Sequence, residues 1–112
     1  MNDALIAMTT AGSEEEARRI AQDLVERRLA ACVNILPNVE SIYRWRGKVE
    51  RAQEWLMIIK TTRTSYPALE QAIVGLHSYE VPEVVALEVK VGADAYLGWI
   101  RESVLAPLDT DT

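Results

Sequence analysis

The sequence predicts an α+β domain built around a long central β-hairpin. Strand-like and helix-like segments follow one another in the order β-α-β-β-α-β-α. The chain has 112 residues, near the commonest domain size, and 49% are apolar, so one domain with its own core is expected over residues 1–112. Two β-α-β halves joined by a hairpin are typical of the ferredoxin-like split β-α-β sandwich, in which helices cover one face of a four-stranded antiparallel sheet.

The first third of the chain predicts a strand, a helix and a second strand. Ala4–Thr9 is a short apolar run that reads as a buried strand. Ser13, with Glu16 three residues later, has the spacing of a capping box, in which each residue satisfies an amide of the other. Apolar residues at helical spacing then predict an amphipathic helix from about residue 14 to 29, and Ala31–Leu36 predicts the next strand.

The middle of the chain predicts a hairpin. Pro37 interrupts the second strand, which indicates an edge position or a bulge because proline cannot donate to a strand ladder. Val39–Arg46 resumes as a strand, Gly47 marks a tight turn and Val49–Thr61 returns. Alternation along the outgoing arm predicts that four side chains share one face: Val39, Ser41, Tyr43 and Trp45.

This hairpin is long for the body that carries it. Ala31–Arg46 spans about 16 residues, or roughly 50 Å if straight, whereas a domain of this size has a radius of gyration of about 13 Å. An overhanging ribbon is marginal alone in water and exposes edge amides and aromatic rings. We therefore expect a homo-oligomer; the alternative is that the hairpin curls back over its own sheet.

The last part of the chain predicts a helix, a strand and a final helix. Thr64 is placed to cap the second helix, and the β-branched run Val84–Val91 predicts a strand. A last helix is expected to begin near Asp94. Residues 105–112 predict a flexible polar tail.

Charge and cysteine usage narrow the classes of function. Lys plus Arg is 12 and Asp plus Glu is 17, a net charge of −5, which disfavours binding to nucleic acid or to an anionic membrane surface. Cys32 is the only cysteine, so no intrachain disulfide is possible. Met1–Ala4 has no basic stretch leading into a long apolar run, and no run approaches the roughly 20 residues of a membrane span. We expect a cytoplasmic protein.

Four segments of the chain resemble the CutA family, the divalent-cation tolerance proteins: Ala30–Ile35, Tyr43–Lys48, Lys60-Thr61 and His77–Val84. The resemblance extends over nearly the whole chain. It implies a ferredoxin-like fold and a tight homotrimer related in architecture to the PII signalling proteins. It also implies binding of copper or other divalent cations, and tolerance of them, rather than catalysis.

The resemblance places the metal site at Cys32 and His77, with Glu83 nearby. A thiol and an imidazole suit copper and zinc. Other roles remain open, since a free cysteine is often a small buried hydrophobe, a histidine near a helix C-terminus favours the dipole, and Glu83 follows a proline in a loop. One cysteine and one histidine do not close a four-ligand site, so a weak or exchangeable site is expected, without an organic cofactor.

A second set of residues suggests a cleft between subunits: Lys60, Trp45, Trp55, Tyr79 and Tyr96. Lys60 would offer a cation to an anionic ligand and the rings would supply stacking walls. The alternative is interface packing, which tryptophan and tyrosine favour.

The sequence offers little support for an enzyme. It contains no P-loop and no dinucleotide-binding fingerprint. His77 and Ser78 are adjacent in sequence, which does not supply the geometry of a hydrolytic triad. The topology is shared with RNA-recognition domains and acylphosphatases, but the stacking aromatics of the former and the Arg-containing anion loop of the latter are missing.

Overall fold

The computed structural model describes residues 2–104, and the predicted tail at residues 105–112 lies outside this range. The elements are β1 (Ala4–Ala11), α1 (Glu14–Glu26), β2 (Cys32–Trp45), β3 (Lys48–Thr62), α2 (Tyr66–Leu76), β4 (Val85–Glu88) and α3 (Asp94–Ser103). The sheet order is β2-β3-β1-β4, with every neighbouring pair antiparallel. The predicted α+β, ferredoxin-like class is therefore confirmed. A single domain over residues 1–112 stays a prediction.

Helices α1 and α2 cover one face of the sheet. Ala7 lies opposite Ile59 in the strand register, and Met57 is two residues from Ile59, so all three side chains project from this face. The helices contribute fully buried side chains to the same core, including Ile20 from α1 and Ile73 from α2. Each such side chain contributes about 1.5–3 kcal/mol relative to exposure, so this layer supplies most of the hydrophobic stabilisation.

The opposite face of the sheet, here called the open face, is covered only at one end. It carries Ile6, Met8 and Thr10 of β1, Leu56, Ile58 and Lys60 of β3, Cys32, Asn34 and Leu36 of β2, and Val85 and Leu87 of β4. Helix α3 packs at the end near Ala4, where Ile100 and Val104 form a second small cluster with it. The rest of the open face has no helix over it within residues 2–104.

The hairpin extends beyond the rest of the sheet, as predicted. Strand β1 pairs with β3 only from Trp55 onward, so Lys48–Glu54 pairs with β2 alone and forms a two-stranded ribbon. The predicted bulge is present as a register shift between Leu36 and Val39. The bulge inserts one extra residue into β2. Before it, the even-numbered side chains of β2 lie on the open face; after it, the odd-numbered side chains, from Val39 to Trp45, lie on that side.

The turn at the hairpin tip also follows the prediction at Gly47. Arg46 has φ 51° and Gly47 has φ 83°, the two positive values that a tight type I′ hairpin turn requires. This turn matches the right-handed twist of the two arms, so the ribbon closes between Trp45 and Lys48.

Three element boundaries differ from the predictions. Helix α1 ends at Glu26 because Arg28 takes φ 59°, and the amides of the next two residues turn back to the carbonyl of Leu24. Helix α2 follows Ser65 rather than Thr64. Strand β4 is shorter than the predicted Val84–Val91, since its partner β1 begins only at Ala4. No helix within the described residues is long and apolar enough to cross a membrane.

Candidate functional site

A cleft of about 420 Å³ lies between the distal half of the hairpin and the loop that follows α2. The bulge in β2 supplies one wall, because it turns the alternating side chains of the outgoing arm to this side. The lining residues are Thr10, Ser41, Tyr43, Trp45, Glu54, Tyr79, Glu80, Val81 and Glu83. Three carboxylates and three aromatic rings dominate this set, so the cleft is acidic and aromatic.

Glu54 is the best-buried carboxylate of the cleft, with 7% of its surface exposed. The hydroxyl of Ser41, on the paired strand, donates to its Oε1 at 2.6 Å. The hydroxyl of Tyr79 donates to its Oε2, also at 2.6 Å. Burial is the largest cause that raises the pKa of Tyr79, and the neighbouring Glu54 carboxylate raises it further, because both disfavour a phenolate here. Tyr79 therefore remains a hydrogen-bond donor at neutral pH.

Tyr79 reaches Glu54 because the residue before it is held by two hydrogen bonds. Helix α2 ends at His77, and the next residues run across the N-terminal end of α1. At Ser78, both the amide and the hydroxyl donate to the carboxylate of Glu16, at 2.7 and 3.0 Å. The phenol ring then passes over Gly12, where a side chain would obstruct it.

Glu16 forms only half of the predicted capping box. Its amide donates to Ser13 Oγ at 3.1 Å, as expected, but its carboxylate accepts from Ser78 instead of reaching the Ser13 amide. Burial opposes ionisation of this carboxylate, but the two hydrogen bonds from Ser78, helped by the Gly12 amide, outweigh it, so the pKa of Glu16 lies below its ordinary value. The helix N-terminus and the loop after α2 are thereby linked through one ionised carboxylate.

The imidazole of His77 is completely buried and both of its nitrogens are engaged. The amide of Tyr79 donates to Nδ1 at 3.1 Å, so Nδ1 has no proton and Nε2 carries it. Nε2 in turn donates to the carbonyl of Thr10 at 2.6 Å. A metal ion would have to displace the Tyr79 amide to bind Nδ1, so His77 acts in this arrangement as a structural link between β1 and the loop.

The three residues predicted to bind metal lie in different places within one chain. Cys32 is half-buried on the open face, opposite Lys60 and in the same row as Ile6. His77 binds the Thr10 carbonyl, four residues further along β1 and so about 13 Å away along the strands. Glu83 lines the cleft. Residues 2–104 contain no group of three or more His, Cys, Asp or Glu side chains arranged to hold a metal ion.

The five predicted cleft-lining residues also separate. Trp45 and Tyr79 do share the cleft described above. Trp55 lines another groove, between α1 and β2, while Lys60 donates to Asn34 on the open face. Tyr96 is exposed on α3, with its ring centroid 5.5 Å from that of Trp99.

Glu54 was not among the site residues predicted from the sequence. In the structure, the even-numbered residues of β3, including Glu54, pair with the odd-numbered residues of β2 from Val39 to Trp45 and share a face with them. This pairing depends on the one-residue bulge in β2. The size of that bulge cannot be deduced from Pro37 alone, so the sequence did not place Glu54 beside Ser41 and Tyr43.

The fold and the site together define a ferredoxin-like α+β protein with an extended hairpin, a sheet face that residues 2–104 cover only at one end, and an acidic aromatic cleft. Residues 5–103 match the model of the family described as CutA1 divalent ion tolerance protein. The chain belongs to this family, as the sequence resemblance predicted.

Individual relatives agree in sequence and in structure. The divalent-cation tolerance protein CutA of Thermus thermophilus is 51% identical over 98 residues, which cover 88% of this chain and 95% of the relative. A solved structure of the protein from that organism gives a TM-score of 0.89 at 50% identity, covering 90% of this chain and 98% of the other. Human protein CutA is 45% identical over 95% of this chain, which spans 59% of the human length.

A third relative is named for the cell compartment in which it lies. The solved CutA structure from Archaeoglobus fulgidus is described as a periplasmic divalent cation tolerance protein. It is 40% identical, with a TM-score of 0.88, and the match covers 91% of this chain and 99% of that one.

Proposed function

We propose that this protein is a homotrimer that serves divalent-cation tolerance by binding copper, or another divalent cation, weakly and without catalysis. Membership of the family of divalent ion tolerance proteins supports the cation. The uncovered apolar part of the open face supports the oligomer and is the single observation that carries the proposal.

The open face has the character of an association surface. Val85 and Leu87 are 47% and 59% exposed, and Leu36 at the other edge is also exposed. They belong to one sheet surface with Met8 and Ile58 between them, so the apolar area is continuous across all four strands. Soluble monomers rarely leave such an area to water, and burial against further copies would remove it.

A donor set for a divalent cation exists, but one chain does not assemble it. The Cys32 thiol suits copper, and Glu83 is an oxygen ligand at the cleft. His77 adds an imidazole only if the Tyr79 amide leaves Nδ1. Because these three residues lie apart within one chain, a site that uses them needs water or a neighbouring copy, which supports weak rather than structural binding.

Copper titration of four proteins tests the metal proposal: wild type, Cys32→Ala, His77→Ala and Glu83→Gln. We expect Cys32→Ala to bind copper less tightly, because the thiol is the best donor for that ion. The control is Glu40→Gln, which removes an exposed carboxylate paired with Arg51 on the hairpin. Equal copper binding in all five proteins would contradict the site assignment.

Sedimentation tests the oligomer separately. Leu87→Asp places a charge on the open face, whereas Val74→Asp changes a similarly exposed apolar residue on α2. We expect wild type and Val74→Asp to sediment as trimers and Leu87→Asp to dissociate. A wild-type protein that sediments as a single chain at micromolar concentration would contradict the proposal.

Cytoplasmic location is part of the same proposal. A relative is described as periplasmic, so the compartment has to be measured. Fractionation of native cells with an antibody to the chain decides it, and recovery in a periplasmic fraction would contradict the proposal.

The cleft favours a second candidate function. We propose as the alternative that the protein is a PII-like signalling or scaffold trimer whose clefts take a small ligand or a protein partner. A cleft of about 420 Å³ falls in the size range of small-molecule sites. Its polar groups converge, since the hydroxyls of Ser41 and Tyr79 both donate to the Glu54 carboxylate. Thermal-shift screening against nucleotides, anions and organic cations tests it, and the absence of any stabilising ligand would count against it.

A further inference from the structure

We infer that the cleft binds a small organic cation whose head group is a planar guanidinium. This inference rests on the second candidate function, since it names the ligand class of that cleft. Three observations carry it: a buried carboxylate that forms no ion pair within residues 2–104, walls rich in aromatic rings, and a guanidinium of the chain itself at the cleft mouth.

The first observation is the set of partners around the buried Glu54 carboxylate. Its two oxygens accept hydrogen bonds from the hydroxyls of Ser41 and Tyr79, which are neutral donors. Within residues 2–104, Glu54 forms no ion pair, although it is more than nine-tenths buried. Buried carboxylates usually have a cationic partner, because burial removes the water that would stabilise their charge. A ligand cation in the cleft would supply that partner.

The second observation is the make-up of the lining as a whole. Glu80 and Glu83 add two further carboxylates, and the lining set contains no lysine or arginine. Such a cleft repels phosphates and other anions and attracts cations. Three aromatic rings lie among these oxygen groups, and the described residues hold no cluster of three His, Cys, Asp or Glu side chains arranged to hold a metal ion. An organic cation therefore fits better than a bare metal ion, which needs several close oxygen ligands.

The third observation is the position of Arg46 at the hairpin tip. Its guanidinium carbon lies 5.2 Å from the ring centroid of Trp45, and its Nη2 donates to Glu80 at 2.8 Å. Arg46 and Glu80 are 70% and 69% exposed, so this ion pair is weak and easily displaced. The same ring and carboxylate are available to an incoming guanidinium, which makes Arg46 an internal competitor.

An NMR titration with n-butylguanidinium as the probe tests the inference on the intact protein. We expect saturable shifts of the Trp45 indole N–H, weaker binding of n-butylammonium, and no binding of acetate. Arg46→Ala should bind the probe more tightly than wild type, because the internal competitor is gone. Glu54→Gln should bind it at least about tenfold more weakly, since a buried charged contact is lost. Glu40→Gln, on the same hairpin but outside the cleft, should leave binding unchanged.

A second variant guards against loss of the fold, because Glu54 also anchors Tyr79. Trp45→Leu keeps that anchor and should weaken binding about three- to tenfold through the lost cation–π contact. The inference is overturned if wild type and Arg46→Ala both fail to bind the probe, or if Glu54→Gln binds it as tightly as Glu40→Gln. If the probe fails while a nucleotide or another anion stabilises the protein, only this inference falls and the second candidate function stands.

Discussion

The phenolic oxygen of Tyr79 lies so near Gly12 that a Cβ atom on the glycine would come within 3.0 Å of it. Gly12 sits between β1 and α1, and the Tyr79 ring crosses it on the way to Glu54. A side chain at Gly12 would therefore require the Tyr79 hydroxyl to shift by a few tenths of an ångström, away from its position beside Glu54.

Gly12→Ala is expected to destabilise the wild-type protein by about 1–3 kcal/mol, because the new methyl group forces Tyr79 out of position. In a Tyr79→Phe background the nearest atom is missing, so the same substitution should cost about 1 kcal/mol less. Denaturant unfolding of the four proteins of this cycle, at one protomer concentration, measures the difference. An identical cost in both backgrounds would show that the close approach does not matter.

Tyr79→Phe alone is expected to lower the free energy of unfolding by about 1–3 kcal/mol, since it removes a hydrogen-bond donor from a buried carboxylate. Tyr96→Phe is the matched control, because Tyr96 is exposed on α3. Its effect should stay within about 0.5 kcal/mol. Equal effects of the two changes would contradict the assigned role of the Glu54 contact.

Stability at alkaline pH should carry the signature of Tyr79. Its pKa is raised in the folded protein, so the folded state holds this proton more tightly than the unfolded chain. The associated stabilisation is complete below the ordinary tyrosine pKa of about 10 and declines as the pH rises above it. The difference in unfolding free energy between wild type and Tyr79→Phe should therefore shrink above about pH 10. A constant difference from pH 8 to 11 would disagree with a protected phenol.

The stability of the folded protein at acidic pH is expected to depend on Glu16. Its pKa is lowered in the folded protein, so the stabilisation from its charged form is present above the ordinary glutamate pKa of about 4.3. This part is lost as the pH falls through the lower, folded value. Wild type should lose more stability than Glu16→Gln between about pH 5 and pH 2. Parallel curves for the two proteins would mean that Ser78 does not hold an ionised carboxylate.

Two glycines give a matched pair for the hairpin tip. Gly47 has φ 83° and Gly75 lies within helix α2, and a Cβ atom would meet nothing within 4 Å at either position. Gly47→Ala should destabilise by about 1 kcal/mol through backbone strain, whereas Gly75→Ala should stabilise by about 0.5–1 kcal/mol. Thermal unfolding at a fixed concentration compares them, and shifts of the same sign would refute this account of the turn.

Most of the fold was predictable from local pattern. Helical spacing placed α1, apolar runs and alternation placed the strands, Gly47 marked the turn, and Pro37 marked the bulge as one of two options. The boundaries that differed depend on distant partners. Strand β4, for example, stops where β1 offers no further backbone to pair with, and nothing in Val84–Val91 itself records that limit.

The candidate site was less predictable, because it depends on which residues the fold brings together. From the sequence alone, the available metal-binding groups could be named: one thiol and one imidazole. The family resemblance was also visible in the sequence, and the family match has confirmed it. The sequence also predicted the long hairpin, since periodicity and turn residues are local properties.

Only the tertiary structure showed that both ring nitrogens of His77 form hydrogen bonds, one to Thr10 and one to Tyr79. It also showed that Cys32 lies towards the other end of the sheet, opposite Lys60. It also decided that Glu54, rather than Lys60, lines the cleft. The physical reason is register: a single extra residue in the β2 bulge sets which side chains face each other across two strands, and that pairing is fixed by packing between distant segments.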